Sequence, residues 1–259
     1  MRQRPLFIPQ LRENPHLEGI VEYFGVLEQK PADINNDLEF VFIGFTNRCG
    51  SNYVAELLAS DGRLPLGGEY LNFDAVVDNS KKHSLLSFQE YFSFLMRQTA
   101  YKKRAVIKVA PSHIELLAQS GILMQIFDRS RFVLIERSDK LDQAISHVIA
   151  FQTGKFTSKM TGYEGQEAKF DARIVSRVIN SIAEDYRFFS SFFGLNGIKL
   201  AHVIYEQVVQ DPQRAVTYIG NIIGLPDLQV MKEKLSLERQ ANAMNAEWRR
   251  MYLANPVSL

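Results

Sequence analysis

Three sets of residues in this chain have the types and spacing for chemistry on a negatively charged group. The first is the run Thr46-Asn47-Arg48-Cys49-Gly50-Ser51-Asn52-Tyr53, a polar turn with one arginine and one glycine. Such a turn between a strand and a helix aims several backbone N–H groups and a helix N-terminus at one spot, a ready site for a phosphate. The second set pairs Arg137 with Ser146, a short way along the helix predicted after it. A guanidinium leaving a strand end grips an oxyanion through two parallel bonds, and a serine hydroxyl adds another. The third is Glu69 in Gly67-Gly68-Glu69-Tyr70, a carboxylate on a glycine loop that can reach a substrate hydroxyl and take its proton.

Each set also has a plainer reading. The turn alone is equally consistent with a strand–helix junction whose glycine only relieves crowding. Arg137 alone reads as a solvated strand-end charge pairing with Asp139, Ser146 as a helix hydroxyl bonded to its own turn, and Glu69 as a surface acid. The nucleotide P-loop, Gly-x-x-x-x-Gly-Lys-Ser/Thr, does not fit: Gly44 and Gly50 enclose five residues, and no lysine follows Gly50. Nor does the third predicted strand end in an aspartate placed for magnesium; it ends in Glu136-Arg137. This disfavours an ATP-dependent kinase. It suits a phosphate ester whose charge is met by arginine, without a metal.

Bringing these sets together requires a sheet. Phe40–Phe45 is an apolar run of strand length, and Tyr53, Val54, Leu57 and Leu58 after the turn recur as one face of a helix. Further strands are predicted at Arg104–Ala110, ended by Pro111, at Arg131–Glu136, and at Ile198–Tyr205. Helical segments separate them: 88–98, a stretch carrying Ile114, Leu117 and Leu123, and one capped by Ser138 or Asp139 with Asp142 in its first turn. A long helix carries Ile174, Val178, Ile182, Phe188 and Phe189 and is ended by Gly194 and Gly197, and another begins at Asp211-Pro212. Strands alternating with helices predict an α/β fold with a parallel sheet. The strand ends of such a sheet face one crevice, so Arg48 and Arg137 can grip two phosphates of one ligand. Residues 1–37, with prolines at 5, 9, 15 and 31, read as an extension with one short helix packed on a main domain of residues 38–259. Residues 152–170 read as a mobile loop, and the second half of 237–252 as helical.

Composition narrows the function further. Thirty basic residues against twenty-nine acidic ones leave a net charge of +1, which gives no reason to expect nucleic acid or a membrane surface as partner. A single cysteine excludes an intrachain disulfide and a cysteine-rich zinc site. No apolar run is long enough to span a bilayer and the N-terminus lacks the apolar core of a secretion signal, so a cytoplasmic protein is expected.

In order along the chain, these residues resemble the sulfotransferases that use 3′-phosphoadenosine-5′-phosphosulfate (PAPS), above all the bacterial carbohydrate branch typified by trehalose 2-sulfotransferase. The family loop Arg-Ser-Gly-Ser/Thr-Thr stands here as Arg48-Cys49-Gly50-Ser51-Asn52, with Cys49 and Asn52 as departures. A Glu-aromatic pair follows as Glu69-Tyr70, and Arg-x-Asp-x-x-x-Gln-Ala-x-Ser as Arg137-Ser-Asp-Lys-Leu-Asp-Gln143-Ala144-Ile145-Ser146. Gln152-Thr153-Gly154, Ile204-Tyr205-Glu206, Asp211-Pro212 and Asn245-Ala-Glu-Trp248 extend the likeness over residues 38–252. The resemblance implies a P-loop-like three-layer sandwich and sulfuryl transfer from PAPS to a hydroxyl of a small-molecule or carbohydrate acceptor. It implies that Arg48, Cys49, Gly50, Ser51, Asn52 and Tyr53 bind the 5′-phosphosulfate, that Arg137 and Ser146 hold the 3′-phosphate, and that Glu69 is the general base with Arg48 on the leaving group. No metal is implied, and a homodimer is. The alternative is a catalytically degenerate protein of the same fold that binds a 3′-phosphoadenosine nucleotide or a partner protein.

Other residues are less telling. Lys108, inside an apolar strand, either reaches the crevice and helps with the sulfate group or sits at a strand edge. His16, His83, His113, His147 and His202 show no metal-ligand spacing; His113, just after the second strand, and His147, beside Ser146, can approach the crevice but read first as structural or surface residues. Cys49 is either a small stand-in for serine or a thiol with a lowered pKa at a helix N-terminus. Arg239 is a candidate to fold over the nucleotide, and Trp248 reads as core.

Overall fold

The computed structural model describes residues 5–156, 160–163, 165–236 and 243–254. Its sheet has four strands, β1 (Glu39–Gly44), β2 (Arg104–Val109), β3 (Ser130–Glu136) and β4 (Leu200–Ile204), in the order β2-β1-β3-β4. All three pairings are parallel, with Phe42 opposite both Ile107 and Phe132, and Leu134 opposite His202.

Alternation along the strands sorts the core into two layers. Phe40 and Phe42, with Ile107, Phe132 and Leu134, face one way. On them pack α1 (Pro15–Phe24), α4 (Phe88–Thr99), α5 (Pro111–Gln119), α6 (Ile122–Ile126) and α8 (Ala172–Asn196). Val41 and Ile43, with Val133, Ile135 and Val203, face the other way, against α2 (Ser51–Ser60) and α10 (Pro212–Ile223). Fully burying each of these side chains contributes about 1.5–3 kcal/mol, which is what fixes the register. A smaller cluster joins α7 (Lys140–Thr153) and α8 to α11 (Ala243–Ala254), where Trp248 packs edge-on against Phe170 with ring centroids 5.5 Å apart. The result is a helix–sheet–helix sandwich.

The N-terminal arm joins this core: Leu17 and Ile20 are buried in the same cluster as Phe40. Two helices had no counterpart in the sequence reading, α3 (Phe73–His83) and α9 (Tyr205–Gln210). Asp139, not Ser138, caps α7, accepting from Asp142 N–H at 2.9 Å. α7 also runs to Thr153, into the stretch read as loop, and α8 passes through Gly194 before ending at Gly197, φ 63°. A glycine in mid-helix is tolerated when aromatic packing such as Phe192 and Phe193 holds the turn around it. No helix among the described residues is long and apolar enough to cross a membrane. Arg239 and Gln240 lie outside the described residues.

Candidate functional site

Because the strands are parallel, their C-terminal ends open on one side, and there lies a cavity of about 940 Å³. Of the sequence-predicted residues, Arg48, Gly50, Ser51, Asn52, Tyr53, Glu69, Arg137 and Ser146 all line it.

The turn between β1 and α2 forms the floor. Gly50 caps α2 at φ 90°, a left-handed conformation that disfavours any side chain, and a Cβ there would also overlap the ring of Tyr205. Gly50 offers no side-chain cap, and Ser51 is directed at the Cys49 thiol, so it is the next N–H groups of the first turn, those of Asn52 and Tyr53, that face whatever enters the cavity. Arg48 is itself left-handed, φ 64°, a conformation costing about 1–2 kcal/mol for a residue with a side chain. Cys49 departs from its neighbours: its side chain is fully buried among Val54, Leu57 and Ile135 and does not line the cavity. Burial pushes its thiol pKa up, against the activated-thiol alternative.

Neutral hydrogen bonds hold this turn. Gln143, fully buried on α7, donates from Nε2 to Thr46 Oγ1 at 2.6 Å and to Asn47 O at 2.8 Å. Thr46 Oγ1 in turn donates to the Tyr186 hydroxyl at 3.2 Å, and that hydroxyl donates to Ile135 O at 3.3 Å. The same hydroxyl accepts from Arg137 N–H at 3.3 Å, so one tyrosine on α8 ties the ends of β1 and β3 together.

Arg48 and Arg137 meet at one end of the cavity. Arg48 Nε donates to Ser146 Oγ at 3.0 Å and its Nη1 donates to Phe156 O, so the two sets separated in the sequence are joined. Burial, then the charge of Arg137, pushes the Arg48 pKa down. Arg137 lies over the Tyr205 ring at 5.9 Å, with Glu206 at 3.7 Å and Asp142 at 3.9 Å. Asp139 is engaged elsewhere, by Arg249 at 2.9 Å. Arg137 Nε is buried without a hydrogen-bond partner.

At the other end stands Glu69. Its loop is pinned along β2 by Lys108 N–H donating to Gly68 O at 2.9 Å. Lys108, only 1% exposed, reaches into the cavity, where Nζ donates to Glu69 Oε1 at 2.5 Å and to Asn52 Oδ1. β2 is an edge strand of the sheet, yet this side chain is enclosed, 4.8 Å above the Phe45 ring. Asn72 donates to the other Glu69 oxygen at 3.3 Å.

Of the histidines, His113 and His147 do approach the crevice: both line the cavity, and burial lowers their pKa to about 3 and about 4. Other cavity residues escaped the sequence reading. Asp185 on α8 also lines the cavity; burial, then Glu184, pushes its carboxyl up to about 7. An aspartate and a tyrosine adjacent on a long amphipathic helix were the available signal for Asp185 and Tyr186, but spacing alone does not say what they face.

Comparison with known proteins adds a family. The sequence profile described as Stf0 sulphotransferase matches residues 96–255, which include Lys108, Arg137, Gln143 and Ser146 but not Arg48 or Glu69. Among solved structures, a sulfotransferase from Alicyclobacillus acidocaldarius superposes with a TM-score of 0.47 at 13% identity, covering 84% of this chain and 92% of that one. The sulfotransferase domain of the Synechococcus PCC 7002 olefin synthase gives 0.46 at 14% identity, covering 99% and 93%. Likenesses this remote assign neither substrate nor residue roles. No curated protein matches the sequence.

Proposed function

Because the chain belongs to the Stf0 sulphotransferase family, we propose that it moves a sulfuryl group from PAPS to a hydroxyl of a small-molecule or carbohydrate acceptor. The observation that carries this is the convergence of Arg48, Arg137, Ser146 and the first turn of α2 on a cavity whose other end holds Glu69. When bound, PAPS supplies a sulfuryl group already joined to a phosphate leaving group. The N–H groups at the start of α2, with Ser51, Asn52 and Arg48, hold that phosphate and stabilise charge growing on its oxygen. Cys49 braces the turn from behind, its N–H donating to Thr46 O at 3.2 Å. Arg137 and Ser146 hold the 3′-phosphate, and Tyr205 supports the Arg137 guanidinium from below. Glu69 accepts the proton of the attacking hydroxyl. Lys108, between Glu69 and Asn52, supplies from β2 the cation that no lysine supplies after Gly50.

Thermal shift tests the donor. Adenosine 3′,5′-bisphosphate should stabilise the protein more than ADP or ATP–magnesium does at equal concentration. Equal or larger stabilisation by ATP–magnesium sinks the reading.

A further inference from the structure

His16 and His113 face each other at the Glu69 end of the cavity, their ring centroids 5.6 Å apart and their planes tilted by 59°. They come from different parts of the chain, His16 from α1 in the N-terminal arm and His113 from α5. In both rings Nδ1 accepts a backbone N–H: from Phe73 to His16 at 3.1 Å, and from Ala110 to His113 at 3.1 Å. A nitrogen that accepts keeps its lone pair, so each neutral imidazole carries its proton on Nε2. The Nε2 of His113 is buried with no hydrogen-bond partner, and among the described residues the Nε2 of His16 has none either. Buried donors are ordinarily bonded, and an orphaned one in a cavity wall is explained by a ligand atom that completes it.

The surroundings say what that atom belongs to. Burial lowers both imidazoles, so they are neutral donors at neutral pH. Glu69 and Asp74 act on His16, and the nearby cation, Lys108, is already paired with Glu69. An anionic group here would meet two carboxylates. A metal ion would meet two protonated Nε2 atoms and two Nδ1 atoms already bonded. An uncharged oxygen with lone pairs fits.

We propose that His16 and His113 are specificity-determining residues: a neutral two-donor clamp that holds oxygen atoms of an uncharged, hydroxyl-bearing acceptor beside Glu69, with the N-terminal helix as a wall of the acceptor site. That the clamped molecule is an acceptor rests on the sulfuryl-transfer reading; the clamp itself rests on the two rings.

The test is multiple-bond proton–nitrogen NMR of the full chain labelled with ¹⁵N-histidine, with and without adenosine 3′,5′-bisphosphate. Maltose serves as the neutral probe and gluconate as the anionic one. Both rings should be Nε2–H tautomers, and maltose should move both Nε2 resonances while gluconate at equal concentration does not. His16→Phe, which keeps ring packing, should weaken maltose binding about tenfold, read from the remaining His113 signal. An Nδ1–H tautomer in either ring overturns the proposal. So do resonances unmoved by maltose, an equal response to gluconate, or a His16→Phe variant that loses thermal stability while maltose affinity stays put. Rings that respond while the bisphosphate fails to bind would remove the PAPS reading and leave the clamp. Bisphosphate binding with silent rings would remove the clamp alone.

Discussion

The two ends of the cavity meet charge in opposite ways. At one end Arg137 has carboxylates only at 3.7 and 3.9 Å, beyond hydrogen-bond reach, and the bonds from Arg48 to Ser146 and Phe156 go to neutral oxygens. At the other end Lys108 and Glu69 are in contact at 2.5 Å. The first arrangement brings two arginines together, and burial with the Arg137 charge pushes the Arg48 pKa down, an effect that an anion bound between them offsets. The second is neutral as a pair and can exchange partners. On the proposed reading, the sulfuryl group arriving at Lys108 takes over its charge and leaves Glu69 as the base, so that one end binds and the other reacts.

Breaking the reactive end should have the largest effect. Glu69→Gln keeps the shape and the contact with Asn72, so transfer should fall roughly 10²- to 10⁴-fold with bisphosphate affinity unchanged, measured by initial rates and calorimetry. Undiminished turnover would remove Glu69 as base and collapse the distinction between the ends. At the binding end, Arg137→Ala should cost adenosine 3′,5′-bisphosphate about 10- to 100-fold in affinity while ADP changes little. A preference for the 3′-phosphate that persists in this variant would assign that group elsewhere.

Smaller effects sharpen the picture. Gln143→Leu leaves Thr46 and Asn47 without their donor and should lower stability by about 1–3 kcal/mol, seen in denaturant melts. It should also raise the KM for the donor, because the turn is braced from α7. The gentlest probe is Asp185→Asn. The Asp185 carboxyl titrates at about 7 in the fold, above its ordinary 3.8, so the folded state holds the extra proton between about pH 4 and 7. Its contribution to stability is therefore present at acid pH and lost as pH rises through about 7. His147, lowered to about 4, has the opposite slope over the range where an ordinary histidine titrates. Removing Asp185 should leave the rising slope uncancelled, so variant and wild-type melting temperatures diverge from about pH 4 to 7 and run parallel above. Parallel curves throughout would mean that the carboxyl is not shielded as the structure has it.

How much of this the sequence disclosed depended on whether a residue acts through its own local pattern. β1, β2 and β3 were legible because runs such as Phe-Val-Phe-Ile are buried on both faces, and a parallel sheet demands such runs. The Arg48 turn was legible because a glycine and short donors must stand between strand and helix there. α3 was not, because Phe-Asp-Ala-Val-Val-Asp-Asn-Ser-Lys-Lys-His has few apolar residues; it forms by packing Val76 and Val77 inward. Lys108 was half legible: its oddity in a strand was plain, its partner was not, since Glu69 reaches it only through the Gly68 bridge. Gln143 and Tyr186 act entirely through tertiary contacts. His16 lay in an arm without a motif, and only the fold shows that it stands opposite His113.

The burial of Cys49 makes the chain its own reporter. It is the protein's one thiol, and no solvent reaches it in the folded state. An alkylating reagent can attack it only when the junction of β1 and α2 comes apart, so the labelling rate counts those openings. Ligands that grip the turn should slow that clock, and a cysteine introduced anywhere on the surface would be the sole fast-reacting handle for a dye.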